Sequence, residues 1–151
     1  MQATYFAYGS NLLTSRLQGR VPSARPDGPA RLGDHRLTTD KRGRDGTGKA
    51  NLRHAPGQFV WGVLWSLDRE DWARLDAVEG DYRRIAVCVE NAAGERVQTQ
   101  TYRSDRLTDD PALAPAYKRC MVDGAREHGL PEAWVRLLEA LPERQRDTPA
   151  S

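Results

Sequence analysis

Glu79 is the residue whose position most clearly suggests chemistry. It follows Trp72 by seven positions and Leu75 by four, so in the helix predicted after Asp68 its side chain lies on the apolar, inward face. Burial and the negative end of the helix dipole both raise the pKa of a carboxyl group, which would make Glu79 a general base near neutral pH. The alternative is a frayed last turn with Glu79 in solvent. Asp76 is one residue off the inward face and is expected to be solvated.

A second candidate lies near the N-terminus, where an aromatic strand over residues 4–8 is predicted to run into a polar turn. Successive backbone N–H groups at Gly9, Ser10 and Asn11 could cradle either an oxyanion or a carboxylate, and the sequence leaves both open. A general base that faces such a cradle favours acyl transfer.

Three other kinds of site find less support. Residues 43–50 match the pattern G-x-x-x-x-G-K, but an alanine stands where a phosphate-binding loop needs a hydroxyl, so we expect only a mobile hairpin tip. His35, His54 and His128 have no partner at ligand spacing, which argues against a metal site and predicts three surface histidines. Ser10 lacks the G-x-S-x-G context of a nucleophilic serine.

Two segments resemble signatures of the γ-glutamylcyclotransferase family. Residues 5–12 are similar to its Y-G-S-N signature, and residues 75–80 are similar to the segment that holds its catalytic glutamate. Further landmarks follow in the family's order, at residues 48–52, 56–57, 60–65, 82, 116–118, 124–125 and 129–131. The resemblance extends over most of the chain, and the whole set is far more specific than Y-G-S-N alone.

The resemblance implies a cofactor-free transferase or lyase of the AIG2-like superfamily. Such an enzyme cyclises a small-molecule γ-glutamyl substrate to 5-oxoproline and releases the free amine, with Glu79 as general acid/base and no metal. The substrate-binding residues that it implies are Tyr5, Phe6, Ala7, Tyr8, Gly9, Ser10, Asn11 and Tyr117. Tyr82 is a plausible neighbour. The leaving group stays open among an amino acid, an amine, glutathione and a biosynthetic intermediate, because leaving-group pockets lie on variable loops. The alternative is a noncatalytic module of the same fold that binds γ-glutamyl metabolites or a partner protein.

Sequence patterns indicate some of the strands that must position these residues more clearly than others. Residues 59–67 form the clearest buried strand, and the alternating segments 82–90 and 96–103 predict a hairpin. Residues 30–39 are only weakly typical of a strand. The three prolines within residues 21–29 predict a loop.

The helices complete the predicted fold. They are expected at residues 14–17 and 68–79, from Pro115 to about Gly129, and from Pro131 onward. We therefore predict an α+β fold, a small mixed, mostly antiparallel, barrel-like sheet with flanking helices. One domain over residues 1–141 and a polar, frayed tail over 142–151 are expected.

The composition of the chain limits which kinds of domain and which cellular compartments are to be expected. The chain has 151 residues and is 38% apolar, which suits a single core. No apolar stretch approaches the roughly 20 residues of a membrane span, and the N-terminus lacks the pattern of a secretory signal. We expect a cytoplasmic protein without a membrane partner. Cys88 and Cys120 form no C-x-x-C pair and are expected to be reduced, buried thiols.

The charges are distributed unevenly along the chain. Residues 1–54 hold 10 basic and 4 acidic side chains, whereas residues 55–151 hold 13 and 17, within a net charge of +2. The basic residues have no interleaved aromatic residues for base stacking, so we expect no nucleic-acid partner. They form either a solvated face or an electropositive region beside the substrate's carboxylate. An apolar stripe from Trp134 to Leu141 could face the core or a second copy, which leaves a homodimer possible.

Overall fold

A closed five-stranded barrel forms the centre of the molecule. The structure is a computed structural model that describes residues 2–144. The strands are β1 (Gln2–Ala7), β2 (Arg25–Arg42), β3 (Gly48–Asp68), β4 (Arg83–Asn91) and β5 (Arg96–Arg103). Their order is β1-β3-β2-β4-β5, with antiparallel neighbours except for β1 and β5, which pair in parallel. The predicted mixed, mostly antiparallel barrel is confirmed.

Four helices flank the barrel within the described residues, as predicted. They are α1 (Thr14–Arg20), α2 (Trp72–Val78), α3 (Pro115–Glu127) and α4 (Glu132–Glu139). Short 3₁₀ turns at Ser10–Leu12 and Arg69–Asp71 lead into α1 and α2. Pro115 is the first residue of α3, where its missing N–H leaves no helical bond unmade.

Gly124 lets α3 pack directly on the turn that follows β1. A Cβ atom at Gly124 would lie 2.5 Å from main-chain atoms of Leu12 and Leu13. No residue with a side chain fits at this distance without a shift of the backbone. Helix α3 therefore supports the turn at Ser10–Leu12 from behind.

The long β2–β3 hairpin differs most from the sequence prediction. The loop expected at residues 21–29 is wrong from Arg25 onward, because β2 already begins there. Pro26 and Pro29 pair with β3 beside an irregular register and a positive φ of 113° at Gly28. This part of β2 pairs only with β3, and prolines are tolerated on a strand edge that needs no further N–H donor.

The hairpin tip at residues 43–47 is an ordered turn. Gly43 N–H donates to the Thr47 carbonyl at 2.9 Å, and the Asp45 carboxylate accepts the Thr47 N–H at 3.0 Å and hydroxyl at 2.6 Å. These bonds hold Asp45 ionised, with its pKa lowered to about 2. The prediction of a hairpin tip rather than a phosphate-binding loop agrees with this geometry.

The core combines the inner faces of the barrel and the helices. Its fully buried side chains include Phe6, Leu12, Leu17, Trp65, Leu75, Met121 and Leu138. The predicted strand at residues 59–67 lies within β3 and supplies Trp65. On α4, Trp134 and Leu138 are buried whereas Leu137 is exposed.

Several smaller predictions were wrong. Both cysteines are free, but neither is the buried thiol that was predicted: Cys88 is exposed on the outer face of β4, and Cys120 is half-buried. His128 is not a surface residue, since its ring packs against Trp65 and lies 3.0 Å from the Thr14 hydroxyl. At the start of the predicted tail, residues 142–144 pair with Leu113 through two backbone hydrogen bonds of 2.8 Å. Residues 145–151 lie outside the described part of the chain.

The described residues contain neither a membrane-spanning helix nor a cluster of metal ligands. Between residues 2 and 144, no helix is long and apolar enough to cross a membrane. In the same part of the chain, no three His, Cys, Asp or Glu side chains gather closely enough to hold a metal ion.

Candidate active site

A cavity of about 320 Å³ brings together residues that are distant in sequence. Three segments form most of its wall: the turn after β1, the end of α2, and the tip of the β2–β3 hairpin. Of the predicted site residues, those that line it are Tyr5, Tyr8, Gly9, Ser10, Asn11, Glu79 and Tyr117. Phe6 and Ala7 do not line it, because their side chains lie wholly in the core.

Glu79 projects into this cavity rather than into solvent. Helix α2 ends at Val78, and Glu79 caps it with φ −94° and ψ 36° while its N–H still donates to the Leu75 carbonyl at 2.9 Å. Its side chain is only 14% exposed. The end of α2 therefore directs the Glu79 carboxylate into the cavity.

The Glu79 carboxylate has two polar partners. Its Oε1 accepts hydrogen bonds from Nη1 of Arg20 at 3.0 Å and from Nδ2 of Asn11 at 3.1 Å. Nδ2 of Asn11 also donates to the Tyr5 hydroxyl at 3.1 Å, and Arg20 reaches Oδ1 of Asn11 at 3.2 Å. Burial raises the pKa of Glu79 above its usual value, while Arg20 and Asn11 oppose the rise. The result is a buried carboxylate that can exchange a proton.

Asp76 contrasts with Glu79 on the same helix. It accepts the Tyr102 hydroxyl at 2.6 Å and pairs with Arg84 at 3.5 Å, with its side chain 42% exposed. It does not line the cavity. The prediction that Asp76 is the more solvated carboxylate agrees with this placement.

The turn after β1 lines the cavity and has backbone donors without partners. Within residues 2–144, the backbone N–H groups of Gly9, Ser10 and Asn11 have no hydrogen-bond acceptor, as expected at the start of a 3₁₀ turn. The Ser10 hydroxyl instead accepts a bond from Nε of Arg16 at 2.9 Å. Three adjacent free donors can hold an anionic oxygen.

Tyr82 and Tyr117 hold Ala50 of β3, which lies against the turn after β1. Tyr117 accepts the Ala50 N–H at 3.1 Å, and Tyr82 donates to the Ala50 carbonyl at 2.7 Å. A Cβ atom at Gly9 would lie 3.0 Å from the Ala50 Cβ and 3.2 Å from the Tyr117 hydroxyl. The turn and β3 approach each other so closely that a side chain at position 9 would force Ala50 or Tyr117 to shift.

The sequence left open whether the N-terminal basic residues form a solvated face or an electropositive region beside the substrate, and it identified no individual cation of this cavity. Of the ten basic residues in the N-terminal third, Arg16, Arg20, Lys41, Arg44 and Lys49 line it. One signal was present for the first two, because residues four apart on a helix share a face. No local pattern pointed to the lysines or to Arg44.

Comparison with known proteins places this site in a family. The profile of the AIG2-like family matches residues 59–138. A human protein named gamma-glutamylcyclotransferase is 36% identical over 146 residues, which cover 91% of this chain and 77% of the human protein. The bovine protein of the same name is 35% identical with the same coverage. The chain belongs to the γ-glutamylcyclotransferase family.

Solved structures agree with this membership. A structure named gamma-glutamyl cyclotransferase superposes with a TM-score of 0.90 at 31% identity, covering 100% of this chain and 94% of its own. The Bacillus subtilis protein YkqA gives a TM-score of 0.79 at 22% identity, covering 95% of this chain and 56% of its own, which shows a shared fold. As a member of the γ-glutamylcyclotransferase family, the chain is an enzyme with a small-molecule substrate, so the alternative of a noncatalytic module is not supported.

Proposed function

We propose that this enzyme converts a γ-glutamyl amino acid or amine to 5-oxoproline and the free amine, with Glu79 as the general acid/base. The observation that carries the proposal is that the buried Glu79 carboxylate and the turn after β1, whose N–H groups have no acceptor among the described residues, line the same cavity. A proton acceptor and an anion cradle are the two groups that an intramolecular acyl transfer requires.

The reaction balances with this single carboxyl group. Glu79 accepts a proton from the substrate α-ammonium, and the freed amine attacks the γ-carbonyl carbon to form a five-membered ring. The carbonyl oxygen then carries the negative charge. Glu79 next donates its proton to the leaving nitrogen as the bond between carbon and this nitrogen breaks. The ring nitrogen still carries a second hydrogen, which it loses to water, and the released amine takes up a proton from water, so the products are the neutral lactam and an ammonium ion. Because Glu79 returns the proton that it accepted, its carboxylate is regenerated in each turnover.

The rest of the cavity wall holds the substrate in a reactive conformation. The N–H groups of Gly9, Ser10 and Asn11 bind the α-carboxylate or the developing oxyanion, and Tyr5, Tyr8 and Tyr117 enclose the γ-glutamyl chain. Since nucleophile and electrophile belong to one molecule, fixing their approach supplies much of the rate enhancement. Phe6 and Ala7 shape this wall only from the core beneath it.

Glu79→Gln tests the central role. The substitution keeps the size of the side chain and removes its proton exchange, so kcat is expected to fall about 10²-fold or more. The measurement is 5-oxoproline release from γ-glutamyl-alanine, with folding monitored by thermal melting. Glu70→Gln is the matched control, since it makes the same change at an exposed position just before α2 and should leave kcat unchanged. Near-normal turnover by Glu79→Gln would refute the role.

A further inference from the structure

Two lysines of the β2–β3 hairpin line the catalytic cavity side by side. Lys41 and Lys49 are direct partners across the two strands, so their side chains leave the sheet on the same face. These side chains are only 7% and 20% exposed. Like charges directly opposite each other destabilise a sheet, and partial burial adds to the cost of each ammonium group. The fold thus places two cations where neighbouring positive charge disfavours them.

Aromatic rings hold both ammonium groups in place. Nζ of Lys41 lies 4.9 Å from the centre of the Tyr82 ring, and Nζ of Lys49 lies 4.6 Å from the centre of the Tyr117 ring. Cations are attracted to aromatic faces at such distances. The two rings are themselves fixed by their hydrogen bonds to Ala50. The lysines are therefore oriented by the same residues that shape the wall of the site.

Carboxylates balance these lysines only in part. Lys41 lies 3.7 Å from Oδ2 of Asp81, beyond ordinary hydrogen-bond distance, and Asp81 also pairs with Arg106 at 3.1 Å. Lys49 lies 3.3 Å from Oδ2 of Asp45, whose other oxygen, Oδ1, accepts the hydrogen bonds of the hairpin turn. Burial lowers the pKa of Lys41 below its usual value, and the neighbouring Asp81 opposes this lowering without reversing it. A further anion between the lysines would relieve this imbalance.

The net charge of the whole cavity lining also favours a further anion. Five arginine and lysine side chains line it against three carboxylates, a surplus of two positive charges. A γ-glutamyl dipeptide carries two carboxylates, one on the glutamyl α-carbon and one on the leaving amino acid. A γ-glutamyl amine without an acid group carries only the first.

We propose that Lys41 and Lys49 form a clamp for the carboxylate of the leaving amino acid and so make the enzyme select γ-glutamyl amino acids over uncharged γ-glutamyl amines. This inference rests on the proposed function, because it assumes that Glu79 lies at the reacting bond. The glutamyl α-carboxylate shares a carbon with the nucleophilic amine and stays beside Glu79 and the turn after β1. The leaving group extends away from Glu79, toward the hairpin whose tip is the exposed edge of the cavity.

A substrate pair that differs only in this carboxylate tests the clamp. We compare kcat/KM for γ-glutamyl-alanine and γ-glutamyl-alaninamide in the wild type, Lys41→Met and Lys49→Met. The wild type is expected to prefer the acid by about tenfold or more, and each variant should lose most of this preference while its kcat/KM for the amide stays within about threefold. Arg36→Gln removes one charge from an exposed position on the same strand and should leave the preference intact.

The outcomes separate the clamp from the proposed function. If the wild type releases no 5-oxoproline from either compound, the proposed function fails. If it turns over both compounds and the lysine variants lose activity on both equally, the lysines hold the glutamyl carboxylate instead and the clamp is refuted. Lys41→Arg keeps the charge and should keep the preference, which guards against loss by misfolding; an intact preference in both methionine variants would also overturn the proposal.

Discussion

The inner wall of the cavity and its hairpin edge are built on different principles. We define the inner wall as Tyr5, the turn at residues 9–11, Arg20 and Glu79, and the hairpin edge as residues 41–49. On the inner wall each charged or polar side chain has a hydrogen-bond partner at 2.9–3.2 Å, and the free donors are backbone groups. At the edge, most ion pairs are longer and positive charge is in excess. A pre-organised wall suits chemistry, whereas an unbalanced edge suits selection among charged substrates.

The largest effect is expected from a substitution in α3 that displaces the turn at residues 9–11 of the inner wall. Gly124→Ala places a Cβ 2.5 Å from the main chain at Leu12 and Leu13, so the turn after β1 must move. We expect a loss of about 1–3 kcal/mol of stability despite the better helix propensity of alanine. Activity on γ-glutamyl-alanine and on its amide should fall together. The measurements are chemical denaturation and 5-oxoproline release.

Gly19→Ala is the matched control for that experiment. It makes the same change within α1, where a new Cβ meets no atom within 4 Å. The control should be neutral or stabilised by about 0.5–1 kcal/mol. Equal effects at the two glycines would show that α3 does not support the turn.

An intermediate effect is expected from Arg20, and it should appear in the pH profile. Arg20 lowers the pKa of Glu79, so Arg20→Met should raise that pKa further. Because the general base must be ionised, the acidic limb of kcat/KM against pH should move to higher pH in the variant. Arg20→Lys keeps the charge and should shift the limb less. A limb that stays in place or moves to lower pH in Arg20→Met would contradict the assignment.

The smallest effect is expected at the hairpin edge, from Arg44. Its side chain is 82% exposed and lies 3.7 Å from Asp81, so solvent and salt screen its charge. Arg44→Gln should leave kcat unchanged and raise KM for γ-glutamyl-alanine by less than about threefold, and this rise should vanish at high salt. The effect of Lys41→Met should persist at the same salt concentration, since Lys41 is buried. Equal salt sensitivity of the two variants would erase the distinction between screened and buried charges.

The sequence predicted the fold where its patterns are local. The strand at residues 59–67, the hairpin at 82–103 and the helices from Pro115 and Pro131 all appear in the structure, because apolar periodicity and turn residues specify them directly. The start of β2 was missed because its prolines are tolerated only through the edge position of that strand, which depends on pairing with β3. Cys88 and His128 were misplaced because burial of a single residue depends on tertiary packing.

The candidate site, like the fold, could be predicted from the sequence only where the pattern is local. Glu79 and the turn at residues 9–11 are recognisable from the chain alone, because helical spacing places one on an inward face and a short polar turn leaves N–H groups free in the other. The tertiary structure alone decided that Arg20 meets Glu79 across 59 positions of sequence and that Lys41 and Lys49 are paired beneath the hairpin tip. These contacts depend on strand register and on the packing of α1 against α2 and the turn after β1. No spacing along the chain encodes a distance between segments that meet only after folding.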